Sequence, residues 1–173
     1  LIRELQAAST AWIAGQAYWS RGQQDATAAL SRYLARGDAQ DLDDARRALQ
    51  VPMGDLQARL ALEQAEPDEA KARQGFLRGG NAPADIPRLV FSFRYARDIG
   101  AFREATALWR QTDGDLMAVQ RLVDELQQRH GQGVLPVAAR DRYLQQLRDL
   151  DRRLQVQAQA FSQALLRMAT LVR

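Results

Sequence analysis

Apolar positions along this chain repeat with a helical period almost everywhere. Over residues 1–36, Leu5, Trp12, Trp19, Ala26 and Tyr33 recur at heptad spacing, with Ala8, Gly15, Gly22 and Ala29 interleaved between them. That spacing predicts one long helix whose inner seam has a bulky row and an unusually small row. Gly37-Asp38 then supplies a stop and a start, the glycine past one helix end and the aspartate as cap of the next.

The middle of the chain is broken. Residues 39–50 place Leu42, Ala45 and Leu49 on one face before Val51-Pro52 interrupts. Pro52 suits either the first position of a following helix or a kink, with Leu56, Leu60 and Ala61 inside. Pro67-Asp68 opens a short helix over 68–78 that Gly79-Gly80 ends, and Asn81 to Pro87 reads as a loop. Ile86, Leu89, Val90 and Phe93 form an apolar stripe that stops near Gly100.

Two long patterns close the sequence. Ala105, Trp109, Thr112, Leu116, Val119, Val123, Leu126 and His130 keep a 3/4 spacing that predicts one helix over 102–130, ended by Gly131, Gly133 and Pro136. Leu144, Leu147, Leu154, Ala158, Phe161, Leu165, Met168 and Val172 keep it over 138–173. No alternating strand pattern competes, so the fold class is all-α. The first and last helices would each run roughly 50 Å, and short turns make neighbours antiparallel. The expectation is a single domain over 1–173. It is an elongated four-helix-bundle-like fold whose second strut is fragmented into short helices between 39 and 99, with both chain ends at one end.

Composition narrows the chemistry. The 173 residues include no cysteine and one histidine, His130, which excludes disulfides, thiolate metal sites and cysteine nucleophiles. His130 falls at a helix end beside Gly131, where it reads as a partner for the helix dipole. No Gly-x-Ser-x-Gly elbow, phosphate loop or dinucleotide glycine motif is present, and the acidic run Asp41-Leu42-Asp43-Asp44 suits a helix first turn. The reading is no enzyme, no metal and no cofactor.

Charge adds little. There are 24 basic and 21 acidic side chains, and Lys71 is the only lysine, so the high isoelectric point reflects arginine usage. The arginines are interleaved with Asp, Glu and Gln, as in Asp149-Leu150-Asp151-Arg152-Arg153, which is a salt-paired surface rather than a basic stripe for nucleic acid. No run of about 18 apolar residues appears, so nothing here is a membrane-spanning helix. Leu1 starts inside one helical pattern and Arg173 ends inside another, as expected of a segment from within a longer protein.

Four stretches invite a second reading beside plain packing. They are Ala17-Tyr18-Trp19-Ser20-Arg21-Gly22-Gln23-Gln24-Asp25, Val51-Pro52-Met53-Gly54-Asp55, the loop Gly79 to Pro87, and Trp109-Arg110 with Asp113. Gly15 and Gly22 each cost about 1 kcal/mol in a helix interior, so close helix packing or a cavity beside Trp19 must compensate. Asp85 could cap the helix that follows it. Gln23, Thr112, Asp113 and Asp151 fall on or beside inner rows, where unpaired polar groups cost a few kcal/mol. Arg94, next to Phe93, is a candidate counter-ion for Asp113 or for an acidic ligand.

In order and spacing, these segments resemble an extracytoplasmic helical sensor domain of bacterial transmembrane signalling proteins. The resemblance rests on Trp19-Ser20-Arg21-Gly22-Gln23-Gln24-Asp25, Arg32-Tyr33-Leu34-Ala35-Arg36-Gly37-Asp38, Val51-Pro52-Met53-Gly54-Asp55, Gly79-Gly80-Asn81-Ala82-Pro83-Ala84-Asp85-Ile86-Pro87, Phe93-Arg94 and Trp109-Arg110. It covers residues 12–116, and departs from the family pattern at Arg21, Gln24, Ala82 and Arg88. It implies a periplasmic module in a parent that crosses the inner membrane on both sides of it. The output would be a diguanylate cyclase (GGDEF), a phosphodiesterase (EAL) or a histidine kinase. The implied partners are a small molecule or a periplasmic protein, flanking transmembrane helices, and a second copy through the first and last helices. Motifs and resemblance together nominate Trp19, Gln23, Asn81, Asp85, Phe93, Arg94, Trp109 and Asp113 as ligand-binding residues. The alternative is a non-sensory structural or protein-interaction bundle.

Overall fold

The computed structural model describes residues 2–171, so Leu1, Val172 and Arg173, the ends of the expected outer helices, lie outside the described residues. Among the described residues there are α-helices and no strands: α1 Ile2–Arg36, α2 Ala39–Glu63, α3 Glu69–Arg78, α4 Ile86–Ala96, α5 Gly100–Gln111, α6 Asp113–His130 and α7 Val137–Leu171. The protein is an all-α helical bundle.

The α1–α2 turn forms as its residues dictate. Gly37 takes φ +72°, a left-handed conformation that only glycine adopts without strain. Its N–H donates to the Tyr33 carbonyl at 2.7 Å, and the Asp38 carboxylate caps α2 by accepting the Gln40 N–H at 3.0 Å. Asp68 caps α3 in the same way, accepting the Lys71 N–H at 3.0 Å. Asp85 stands at the start of α4 without any side-chain cap bond, contrary to expectation, and pairs with Arg88 at 3.6 Å instead.

Two expected boundaries move. Pro52 neither starts nor ends a helix, because α2 runs through it unbroken from Ala39 to Glu63. The proline ring removes the N–H that would bond the Ala48 carbonyl, and that carbonyl faces Gly22 of α1. A Cβ on Gly22 would lie 2.9 Å from the Ala48 oxygen and 3.0 Å from Pro52 Cδ, so α1 packs directly onto the proline segment. Leu60, expected inside, is 48% exposed on the outer face of this continuous helix.

Conversely, the expected single helix over 102–130 is divided at Thr112 into α5 and α6. There the Thr112 N–H and hydroxyl both donate to the Trp109 carbonyl, at 3.0 and 2.6 Å, which tightens the turn. The apolar spacing continues across the break because each helix turns its apolar face to the bundle interior, α5 to one core cluster and α6 to the other. The fragmented part of the bundle is therefore α3 to α5, and α2 is a full-length strut.

The core falls into two apolar clusters along the bundle. One holds Leu30, Leu49, Leu122, Leu126 and Leu154, between the second half of α1, the first half of α2, α6 and the first half of α7. The other holds Trp12, Leu62, Phe93, Trp109 and Met168, between the first half of α1, the second halves of α2 and α7, and α3 to α5. The boundary between them crosses α1 near Trp19, α2 near Asp55, the α5–α6 break and α7 near Gln157.

Candidate functional site: a buried polar layer between two apolar halves

Polar groups gather at that boundary. Asp55 and Arg59 on α2, Asn81 after α3, Gln23 on α1 and Thr112 at the helix break are all buried. Small residues let the backbones close around them. Gly54 and Gly75 pack α3 against α2 so tightly that a Cβ on Gly54 would meet the Gly75 oxygen at 2.6 Å. A Cβ on Gly79 would fall 2.0 Å from Asp55 Oδ1, and one on Gly15 would fall 2.8 Å from Asn81 Oδ1. Four glycines thus bring three segments, distant in the chain, onto one pair of side chains.

Within this cradle Asn81 Nδ2 donates to Asp55 Oδ1 at 3.0 Å and to the Phe76 carbonyl at 2.8 Å. Burial pushes the Asp55 carboxyl well above the ordinary carboxylate range, against the opposing effect of the Asn81 hydrogen bond. In its protonated form the group can both donate and accept here.

Asp55 and Asn81 border a cavity of about 30 Å³ whose other walls include Gly15, Trp19, Phe93 and Trp109. That volume has room for one or two waters. The wall is aromatic: Trp12 lies edge-on to Trp109 at 6.1 Å, and Trp109 stacks on Phe161 at 6.2 Å. Trp12 Nε1 donates to Ser92 at 2.8 Å, whereas Trp19 Nε1 and both amide atoms of Gln23 are buried without a hydrogen-bond partner.

A charged group completes the layer. The Arg59 guanidinium, 1% exposed, lies 4.9 Å over the Trp109 ring, with one nitrogen on Glu63 Oε1 at 2.5 Å and another on Asp113. Arg110 reaches Glu63 Oε2 at 3.0 Å. Burial raises the Asp113 carboxyl above its ordinary value, and the Arg59 hydrogen bond opposes that rise. Among the described residues no group of three or more His, Cys, Asp or Glu converges to hold a metal ion.

Of the sequence-nominated residues, Trp19, Asn81, Phe93 and Trp109 meet at the cavity. Gln23 lies one turn beyond Trp19, buried but off the cavity wall. Asp85 and Arg94 are elsewhere, and Asp113 reaches the layer through Arg59 without lining the cavity. The expected Arg94–Asp113 pair does not form: Arg94 binds Glu69 at 2.6 Å, and the counter-ion of Asp113 is Arg59. Asp151, the other inner polar residue, accepts from Thr27 at 3.0 Å.

The sequence singles out the Val51-to-Asp55 stretch and a cavity beside Trp19 as the alternative to close packing at Gly15, but it does not nominate Asp55 or Gly15 as site residues and does not mark Arg59. A signal was present, since Asp55 and Arg59 stand four residues apart on a helix face whose neighbours are apolar. No protein-family model, curated protein or solved structure matches this chain.

Proposed function

We propose that this chain is a ligand- or partner-sensing extracytoplasmic module of a membrane-spanning bacterial signalling protein, without catalysis of its own. The observation that carries the proposal is convergence. The Trp19, Pro52-to-Asp55, Gly79-to-Asn81, Phe93 and Trp109 motifs, on which the family resemblance rests, supply one buried layer. That layer has donors and acceptors to spare, and it lies where α1, α2 and α7 pass between two separate apolar clusters. A molecule or protein contact that favours one packing of the layer would shift α7 against α1, because differential affinity for two packings suffices. In the parent, that helix shift would pass through the inner membrane to a cytoplasmic output, most directly cyclic di-GMP turnover, otherwise a histidine kinase.

A non-sensory structural bundle is the second reading, and the cavity favours it by its size, which suits waters rather than a metabolite. One experiment separates the two. The chain has no native cysteine, so Thr10→Cys and Gln163→Cys, both exposed, place spin labels on α1 and α7 alone. Amino acids, polyamines and small organic acids are screened by thermal shift, and each hit is tested for a change in the label-to-label distance. Sensing predicts a hit whose stabilisation is lost in Asn81→Ala and which changes the distance. Hits that leave the distance unchanged contradict the relay, and a screen without hits supports the structural bundle. In the parent gene, apolar segments of about 20 residues should flank the domain, and their absence contradicts the membrane assignment.

A further inference from the structure

A second candidate site lies at the far end of the bundle, away from the buried layer. The α1–α2 turn and the loop between α6 and α7 enclose a groove of about 400 Å³, within the range of small-molecule sites. Two glycines shape its rims, Gly37 at φ +72° and Gly133 at φ +111°. Leu34 lies buried at its base, the partly buried Leu135 and the fully exposed Val134 edge it, and its charged lining is entirely basic, from Arg36 and Arg140 beside His130.

The basic groups differ in availability. Arg36 is held by Asp41 at 3.0 Å, whereas the half-buried Arg140 guanidinium has no ion-pair partner among the described residues. The His130 ring is fixed by Tyr33, whose hydroxyl lies 2.8 Å from Nδ1. Burial pushes the Tyr33 phenol above its ordinary value, so its hydroxyl keeps its proton beside Nδ1. The other ring nitrogen, Nε2, has no hydrogen-bond partner among the described residues and is a donor whenever Tyr33 donates to Nδ1. A free guanidinium and an unpaired ring nitrogen beside apolar side chains match a carboxylate head with a hydrocarbon tail.

We propose that this groove binds a small organic carboxylate, with the head on Arg140 and His130 and the tail over Leu34, Val134 and Leu135. This site is separate from the layer around Asp55, and its test does not depend on sensing there. His130 is the only histidine, so its ring protons report on this groove alone in an NMR titration. Acetate, butanoate and hexanoate are titrated at constant ionic strength, with inorganic phosphate as a second anion. Saturable shifts are expected with the carboxylates, and each added methylene should tighten binding about twofold, since the groove covers only one side of the tail.

Arg140→Gln should weaken hexanoate about tenfold while leaving thermal unfolding unchanged. Arg121→Gln, at an exposed α6 position outside the groove, should match the wild type. The proposal is overturned by any of four results: no saturable shift, equal affinity for acetate and hexanoate, phosphate binding as tightly as hexanoate, or equal loss in the two arginine variants.

Discussion

Gly54→Ala should destabilise the protein, although it places a better helix former in the interior of α2. The helix gains about 1 kcal/mol from the exchange. Against this, the new Cβ would lie 2.6 Å from the Gly75 oxygen and 2.9 Å from the Gly79 nitrogen, both backbone atoms that no rotamer change can remove. Ordinary contact begins at 3.4 Å, so α3 must back away by about 0.8 Å. Such a shift carries Asn81 and the Phe76 carbonyl of α3 together and stretches the Asn81 bond to Asp55 on α2, now 3.0 Å, beyond the limit for a hydrogen bond. Overpacking costs about 1–3 kcal/mol and the weakened hydrogen bond about 1 kcal/mol. The net loss is about 1–3 kcal/mol, a drop of about 2–12 °C in Tm for a chain of this size. Urea unfolding of Gly54→Ala beside Gly114→Ala measures it, because a Cβ on Gly114 in α6 meets nothing within 4 Å. Gly114→Ala should be neutral or stabilising by up to about 1 kcal/mol. A Gly54→Ala protein as stable as the wild type would refute the close α2–α3 contact and the cradle built on it.

The remaining expectations test single groups. Asp55→Asn should remove a pH dependence: the native carboxyl is raised above its ordinary 3.8, so wild-type stability falls as pH rises from that value toward the native one. The variant, lacking that fall, should gain on the wild type as pH rises above about 4 in urea unfolding, and a constant difference would contradict the raised Asp55 carboxyl. Arg59→Ala should cost about 3 kcal/mol by removing the counter-ion of Asp113 and leaving Glu63 paired with Arg110 alone, read as a fall in Tm. Trp12→Phe and Trp19→Phe remove the same volume, but only Trp12 Nε1 has a hydrogen-bond partner. Trp12→Phe should therefore cost about 1 kcal/mol more than Trp19→Phe in chemical unfolding.

The long helices α1 and α7 were legible because their apolar rows repeat without interruption, and a helix needs only that one face be buried. The continuity of α2 through Pro52 and the break at Thr112 were not legible, for a common reason. A proline is a local breaker, yet α1 brings Gly22 against the carbonyl that Pro52 leaves unbonded, and the helix continues. Thr112 is locally unremarkable, yet its hydroxyl and N–H both turn back to Trp109, and the helix divides. Both outcomes depend on neighbours that are remote in sequence. The cavity residues Trp19, Asn81, Phe93 and Trp109 could be named because each departs from a plain apolar row. Their common location could not be read, since it depends on α3 closing over Gly54. Arg94 shows the opposite limit: adjacency to Phe93 suggested an inner role, but helical geometry turns its head toward Glu69.

A double-mutant cycle between Asp55 and Asn81 tests most directly whether separated motifs form one buried layer. Asp55→Ala, Asn81→Ala and the double variant are unfolded in urea at one pH. Direct contact in a closed cradle predicts a coupling of about 1–3 kcal/mol, with the double variant less damaged than the two single losses together. Additivity within about 0.4 kcal/mol would mean that the Pro52-to-Asp55 segment of α2 and the post-α3 loop do not meet, and would contradict the account.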